Sequence, residues 1–244
     1  MSPLDLTKLG LDLIDLRKTG VSNPLRKKPV GGIVLHSPGV TYVNRVASAL
    51  GHQVDDVALD HAVASDFDGR KYQPGYIVGQ GGSVYMLEDD TRTTSHSSQL
   101  LPILSSGNWR SWAQPLGGEL EQHGRGPHVV YDWWDAVYSP TSSPGDLPFD
   151  ACPNRYIGID LRPRYEGGVQ FSEVQIGALV ALVVALSREH RFLLDIRHVL
   201  THSLADPIRR GTVARKGVTI GVHWDPPAKH FDYAAFMVRL TEAA

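Results

Sequence analysis

The sequence predicts an α/β (α+β) fold, with one domain built on a central mixed β-sheet flanked by helices. Two apolar runs, 31–36 and 156–163, indicate buried strands, because branched residues fill them and turn-forming residues follow. Segment 42–51, ending at Gly51, indicates a short amphipathic helix, and 172–190 indicates a helix buried on most faces. Loose alternation of strands and helices is typical of such a domain.

The N-terminal segment is predicted to be helical. Leucines lie at mixed helical spacing over residues 2–19, interrupted by Gly10, which favours a helix or a helix pair packed on the domain. We therefore expect residues 1–30 to form an N-terminal helical extension, and residues 31–244 to form the main domain.

Three local signals define further elements. Four residues, Gly79 to Gly82, separate two apolar runs within 75–87 and predict a hairpin, since glycine tolerates the positive φ of a tight turn. Ser172, with Gln175 three residues later, is a capping box that begins the long helix. The segment 217–227 predicts a strand that ends in a proline-stopped turn.

A long insertion is expected at about 97–153. It is rich in Ser, Pro and Gly, shows no periodic apolar face and contains four tryptophans: Trp109, Trp112, Trp133 and Trp134. An irregular segment of this length is uncommon in a domain unless it binds something. We expect a substrate-side excursion rather than a second domain, in which the tryptophans either stack on a bound ligand or pack the loop.

Bulk properties exclude several function classes. The formal charge is 24 − 26 = −2, without a long basic run, which argues against nucleic acid as a partner. The apolar run 174–186 is too short for a membrane span, and no basic-then-apolar export signal begins the chain. The only cysteine, Cys152, excludes an intramolecular disulfide framework and predicts a small buried hydrophobe. The sequence leaves the oligomeric state open.

Histidine is the residue type most suggestive of chemistry. His36 ends a predicted strand, His198 and His202 are four residues apart, and Asp225 lies in a turn that would fix its carboxylate. Two histidines and one carboxylate from separate elements are a common composition for catalytic zinc. Spacing alone does not select the ligands among 11 histidines.

The pair at 198 and 202 allows a different interpretation. On a helix, this spacing would place both rings on one face, as in zinc metalloproteases. Val199 stands where those enzymes carry their glutamate, so the signal is weak.

Six segments in order resemble the zinc-dependent N-acetylmuramoyl-L-alanine amidases, which share a fold with the peptidoglycan recognition proteins. The segments are GIVLH, YIVGQGGSVYML, NRYIGIDL, FSEVQIGALVALVVAL, VLTHSLAD and HWDPPAKHFD. The resemblance runs from about residue 30 to 233, outside the long insertion.

This resemblance implies a site. His36, His202 and Asp225 match the family's zinc ligands, Asp160 matches the glutamate that serves as general base in one branch, and His223 stands at the position of the catalytic lysine. The implied reaction is hydrolysis of the amide between N-acetylmuramic acid and L-alanine of the stem peptide. Zn²⁺ would be the cofactor and peptidoglycan the substrate.

The sequence departs from the family at several positions. His223 replaces a lysine, Asp160 is one methylene shorter than glutamate, and Pro227 replaces a glycine. A second branch uses a tyrosine before the hairpin strand, but neither Tyr72 nor Tyr76 aligns well with it.

Structural roles compete with each assignment. Asp160 could be a buried ion-pair partner, and His223 could be a second hydrogen-bond donor near the site or no part of it. His96 lies where relatives often carry a substrate-side histidine, and an exposed loop histidine is the alternative interpretation. His198 is expected to pack in the domain or to support the end of a helix.

Two alternatives to the amidase remain open: a non-catalytic peptidoglycan-binding module of the same fold, and a metalloprotease that uses His198 and His202. Without an export signal, we expect cytoplasmic synthesis and action at the bacterial cell wall. A phage lysis protein, a virion-associated hydrolase and a delivered effector all fit this expectation.

Overall fold

The computed structural model describes a large part of the chain. The described residues are 10–17, 25–26, 29–51, 54–67, 73–92, 94, 118–123, 126–131, 156–164, 171–196, 198–202, 213–215, 218–220, 226 and 230–244. For 118–131 and 213–220 it describes only the backbone of the strands.

The described residues form ten strands and four helices. In chain order these are β1 (Leu13–Asp15), β2 (Gly32–His36), α1 (Val40–Leu50), α2 (Asp56–Phe67), β3 (Tyr76–Val78), β4 (Val84–Met86), β5 (Gly118–His123), β6 (Gly126–Tyr131), β7 (Tyr156–Leu161), α3 (Glu173–His190), β8 (Val199–Thr201), β9 (Val213–Arg215), β10 (Val218–Ile220) and α4 (Tyr233–Ala243). Six of these strands build one sheet in the order β1-β4-β3-β7-β2-β8. Strands β3, β7, β2 and β8 are mutually parallel. Strand β4 is antiparallel to β3, and β1 is parallel to β4. The predicted α/β class with a central mixed sheet is confirmed.

Helices cover both faces of the sheet. On one face, called the α3 face, strand residues such as Ile33 and Ile159 pack with α3 and α4. On the opposite face, called the α2 face, Ile77 and Tyr85 pack against Ala64 of α2, and α1 packs on α2 in turn. Neighbouring residues of a strand point to opposite faces, so the apolar runs of the sequence serve both layers.

Several local predictions are confirmed. Ser172 accepts a hydrogen bond from the Gln175 N–H at 3.0 Å and caps α3, which extends to His190 as predicted. The glycine hairpin joins β3 to β4, with Gly82 at a φ of +88°. Helix α1 ends before Gly51, whose φ is also +88°.

The helix predicted over residues 2–19 is wrong at Leu13–Asp15, which form a strand parallel to β4. Leu13 packs with the α3-face cluster and Ile14 with the α2-face cluster. Because both faces of this edge strand are apolar, its leucines do not show the alternation that would have indicated a strand. Residues 1–9 lie outside the described residues, and the division of the chain at residue 30 stays a prediction.

Other elements were missed. The insertion at 97–153, predicted to be irregular, contains the antiparallel pair β5 and β6, and the rest of it lies outside the described residues. The sequence analysis did not identify α2 or α4. Within the described part of the chain, no helix is long and apolar enough to span a membrane.

Candidate active site at the carboxyl edge of the sheet

The carboxyl ends of β7, β2 and β8 lie side by side, and we call this end of the sheet the carboxyl edge. His36 ends β2 and is in register with Asp160 of β7. Leu35 is in register with Thr201, the last residue of β8, so the next residue, His202, lies beside His36. Neighbouring strands of a sheet are about 4.8 Å apart. Register therefore forms a row of His202, His36 and Asp160 on the α2 face.

The two histidines of this row are in contact. Their ring centroids are 4.3 Å apart at an interplanar angle of 46°, and each residue is only 6% exposed. Both residues make further interactions, but neither Nε2 atom is hydrogen-bonded within the part of the chain that the structure describes. Two buried imidazoles from separate strands thus converge at one point.

Asp160 adjoins this pair. It is buried, with 7% of its surface exposed, and its register partners are His36 on β2 and Ile77 on β3. A carboxylate on a central strand of a sheet is held by ladder hydrogen bonds on both sides, so its backbone position is rigid.

The remaining predicted site residues lie outside the described residues: Asp225, His223, His96, Cys152 and Tyr72. Among the residues that the structure does describe, no group of three or more His, Cys, Asp or Glu side chains could hold a metal ion. The sequence-predicted set is therefore represented by His36, His202 and Asp160.

The helical pairing of His198 with His202 is wrong. The two residues flank the strand β8, and four residues of extended chain span about 13 Å at ~3.3 Å per residue. His198 lies at the opposite end of β8, where its Nδ1 is 2.6 Å from Asp195 Oδ1. This contact lies before a strand and not at the end of a helix, as had been expected for His198, and the metalloprotease alternative loses its geometric basis.

Tyr76 also lies away from the site. Its hydroxyl donates to Asp90 Oδ1 at 2.9 Å, beyond the amino end of β3. Burial, followed by the nearby Asp90 carboxylate, raises the pKa of Tyr76 well above its usual value. We therefore assign it a structural role.

A buried ion cluster was missed by sequence reasoning. Arg162 follows β7 and is fully buried, and its Nε donates to Asp60 Oδ1 of α2 while its Nη2 donates to Asp56 Oδ1 at 2.7 Å. Burial raises the pKa of Asp60, against the opposing effect of the Arg162 guanidinium. The available signal was an arginine directly after a mostly apolar strand, where a buried charge requires a partner.

The glycine turn joins the same cluster. Asp60 Oδ2 accepts from the Gly81 N–H at 3.3 Å, and a Cβ at Gly79 would overlap the Asp60 carboxylate. Gln80 Nε2 donates to the Arg162 carbonyl at 2.9 Å. The turn after β3 lies at the carboxyl edge because β3 runs parallel to β7, and the glycine at position 79 leaves room for Asp60 of α2 beside it.

Comparisons with known proteins give structural matches only. No family model and no curated protein matches the chain. A mutant endolysin from Bacillus subtilis is 13% identical, with a TM-score of 0.46 over 94% of this chain and 99% of that chain. The endolysin N-acetylmuramoyl-L-alanine amidase LysCS from Clostridium intestinale URNW is 12% identical, with a TM-score of 0.45 over 94% and 95%.

The catalytic domain of XlyA is also 12% identical, with a TM-score of 0.46 over 94% of this chain and 99% of that chain. TM-scores below 0.5 are too low to transfer a function or a residue role, so the function must come from the chain's own residues.

Proposed function

We propose that this chain is a zinc-dependent peptidoglycan hydrolase that cleaves the amide bond between N-acetylmuramic acid and L-alanine of the stem peptide. The observation that carries the proposal is the contact of two buried imidazoles, His36 and His202, beside Asp160 at the carboxyl edge. The choice of bond and substrate rests on the six segments that resemble the amidases, in the same order along the chain.

The donor set fits zinc. Imidazole nitrogens are preferred zinc ligands, and the two rings come from different strands that only folding brings together. Asp225 is proposed as the third ligand on the resemblance alone. When bound, zinc would polarise the scissile carbonyl and lower the pKa of a water molecule to ~7.

The chain's own groups would move the proton. Asp160 is proposed to accept it from the attacking water and to deliver it to the leaving amine. Its position on β7, in register with His36, supports this role because a base acts only within hydrogen-bond reach of its proton. His223 is proposed to donate a hydrogen bond to the developing oxyanion, in place of the lysine of the relatives.

Rigid strands suit this chemistry. His36 and Asp160 occupy neighbouring central strands, so their separation changes little during the reaction. Misplacing a reacting group by ~1 Å can cost about 10²-fold in rate, which makes preorganisation on a sheet valuable. On the resemblance of the six segments, the site is proposed to act on peptidoglycan at the bacterial cell wall.

Mass spectrometry of digested peptidoglycan tests the proposal. Purified cell-wall sacculi are incubated with the zinc-loaded protein, and the soluble products are compared with those from an Asp160→Asn control. We expect free stem peptides that begin with an L-alanine amine, and glycan strands with intact lactyl carboxylates. New reducing sugar ends or cleavage within the peptide would contradict the assigned bond. Binding without any cleavage would favour the peptidoglycan-binding module instead.

A further inference from the structure

We propose that Arg162 is a positioning residue that holds the end of β7, and with it Asp160, in register beside His36. The inference rests on the proposed function for its catalytic consequence, because Asp160 is the proposed base. The structural half of the proposal concerns only the position of a strand end.

The guanidinium of Arg162 is bound on all its nitrogens. Nε donates to Asp60 Oδ1, Nη2 donates to Asp56 Oδ1 at 2.7 Å and to the Asp56 carbonyl at 3.3 Å, and Nη1 donates to the Pro163 carbonyl at 3.3 Å. The rigid fork of an arginine fits two acceptors at once, so the side chain has little freedom to move. The contacts attach the end of β7 to the first turns of α2.

The backbone of Arg162 is held as firmly. Its N–H donates to the Val78 carbonyl at 3.1 Å, and its carbonyl accepts from Gln80 Nε2 at 2.9 Å and from Gln175 Nε2 at 3.0 Å. One residue therefore joins β7 to α2, the end of β3, the glycine turn and α3.

This residue lies where the ladder of β7 must stop. Pro163 has no N–H, so it donates no ladder bond beyond the bond from Arg162 to Val78. A strand end without further pairing frays. The side-chain contacts of Arg162 provide the attachment that the ladder lacks at this point.

Arg162 can affect the position of the proposed base because the two residues are close together at the end of one strand. Asp160 and Arg162 are two residues apart and point to the same α2 face, with their Cα atoms about 6.6 Å apart in an extended strand. A shift of the strand end would move Asp160 relative to its register partner His36.

A contribution to stability alone does not explain the buried ion pair of Arg162 with Asp60. Burying an ion pair costs solvation, and apolar residues of similar volume often stabilise a core as well or better. Arg162 is fully buried and Asp60 nearly so, at 0% and 1% exposure of their side chains. Directed bonds fix a position in a way that apolar contacts do not, and the position fixed here is that of the strand end carrying Asp160.

The test replaces the buried pair by apolar residues. The variant Asp60→Leu/Arg162→Met removes both charges together, so that neither is left buried alone. Its matched control is Asp15→Leu/Arg17→Met, which removes a partly exposed ion pair at the carboxyl end of β1, at the opposite end of the sheet. Wild type and both variants are compared in hydrogen exchange of the apo proteins, in zinc content, and in kcat and KM on peptidoglycan.

We expect the backbone amide of residue 162 to exchange at least about 10-fold faster in the site variant, while the same amide in the control exchanges like wild type. We expect kcat to fall about 10²-fold with KM and zinc content unchanged, because a displaced base loses reach without losing substrate contacts. Should the double variant fail to fold, Arg162→Lys is measured in the same way. A lysine keeps the charge but cannot fork between two carboxylates, so it should show the same changes to a smaller extent.

Wild-type exchange at Arg162 together with wild-type kcat, in a folded variant, would overturn the inference. A wild-type protein that does not cleave peptidoglycan would instead overturn the proposed function. In that case hydrogen exchange alone decides whether Arg162 holds the strand end.

Discussion

Histidines at the two ends of the sheet have different partners. At the carboxyl edge, the rings of His36 and His202 contact each other, 4.3 Å apart. At the opposite end, which we call the amino edge, His198 contacts Asp195 at 2.6 Å, and Nε2 of His190 is 3.1 Å from an aspartate. At the amino edge each of these histidines contacts a carboxylate, whereas at the carboxyl edge two buried rings pack on each other beside Asp160. The partner, rather than the residue type, distinguishes the two groups.

The ion pairs of the two edges also differ, in this case in how far their side chains are buried. Arg162 and Asp60 are buried, whereas Arg17 and Asp15 at the amino edge have side chains that are 28% and 47% exposed. An exposed pair contributes little because solvent screens it, while a buried pair strictly requires both partners. Of these two ion pairs, the one at the carboxyl edge is therefore the one that depends more strongly on both partners.

The largest expected effect separates the histidines by edge. His36→Ala and His202→Ala should lower the rate of peptidoglycan hydrolysis by much more than about 100-fold, the upper loss seen when only an outer-shell partner of a metal ligand is removed. His190→Gln and His198→Gln, the matched controls, should hydrolyse peptidoglycan at close to the wild-type rate. Turbidity loss of purified sacculi measures all four. Equal losses of hydrolysis rate in both groups would contradict the proposed difference between the two edges.

Next in size is the effect of Asp160→Asn, which keeps the shape of the side chain but removes its basicity. We expect kcat to fall by about 10²–10⁴-fold with zinc still bound, the usual contribution of a general base. Asp90→Asn, at the amino edge, should leave kcat unchanged. Zinc loss from Asp160→Asn would make this residue a ligand, and an unchanged kcat would make it a structural carboxylate.

A single substitution in each ion pair should differ in stability. Arg162→Met leaves Asp60 buried without its cation and should cost about 3–5 kcal/mol in the free energy of unfolding. Arg17→Met should cost no more than about 1 kcal/mol, since that pair is partly exposed. Urea denaturation followed by circular dichroism measures both. Similar costs for the two substitutions would show that burial does not set the strength of these pairs.

The smallest effect at neutral pH is expected for Tyr85, which lies on the α2 face in line with Asp160 and His36 through Ile77. Among the described residues its buried hydroxyl lies near Ser83 but makes no hydrogen bond of normal geometry, whereas the hydroxyl of Tyr76 donates to Asp90. Tyr85→Phe should therefore change stability by less than about 1 kcal/mol, and Tyr76→Phe should destabilise by about 1–3 kcal/mol.

Alkaline pH should distinguish Tyr85 further. Burial, with a smaller effect of Asp60, raises its pKa to about 12. The unfolded chain loses this proton near pH ~10, before the folded chain does, so stability falls as the pH rises from ~10 towards 12. Tyr85→Phe should remove about 2–3 kcal/mol of that loss. If the free energy of unfolding of Tyr85→Phe fell between these pH values as steeply as that of wild type, the raised pKa of Tyr85 would be contradicted.

The sequence predicts the elements whose signals are local. The strand ending at His36, the Ser172 cap and the glycine hairpin each depend on a few neighbouring residues, and all three are confirmed. The edge strand at Leu13–Asp15 was predicted as helix because its partner on the sheet, β4, lies about 70 residues away. The spacing of apolar residues within a segment does not indicate pairing with a strand that is distant in the sequence.

The candidate site shows the same limit. His36 and His202 could be selected from 11 histidines only through family resemblance, because their contact depends on the register of β2 with β8. The spacing of His198 and His202 suggested a helical pair, and the strand between them separates the rings. Arg162 was missed because its partners lie on α2, about 100 residues earlier in the chain.

Zinc titration of the apo protein tests the central claim, that the contacting histidines of the carboxyl edge form a metal site. The protein is stripped with a chelator, and binding is followed by calorimetry for wild type, His36→Ala, His202→Ala and the amino-edge control His198→Gln. We predict one equivalent of tightly bound zinc in wild type and in His198→Gln, and loss of that binding in both alanine variants. Full zinc binding by His36→Ala and His202→Ala, or none by wild type, would contradict the account.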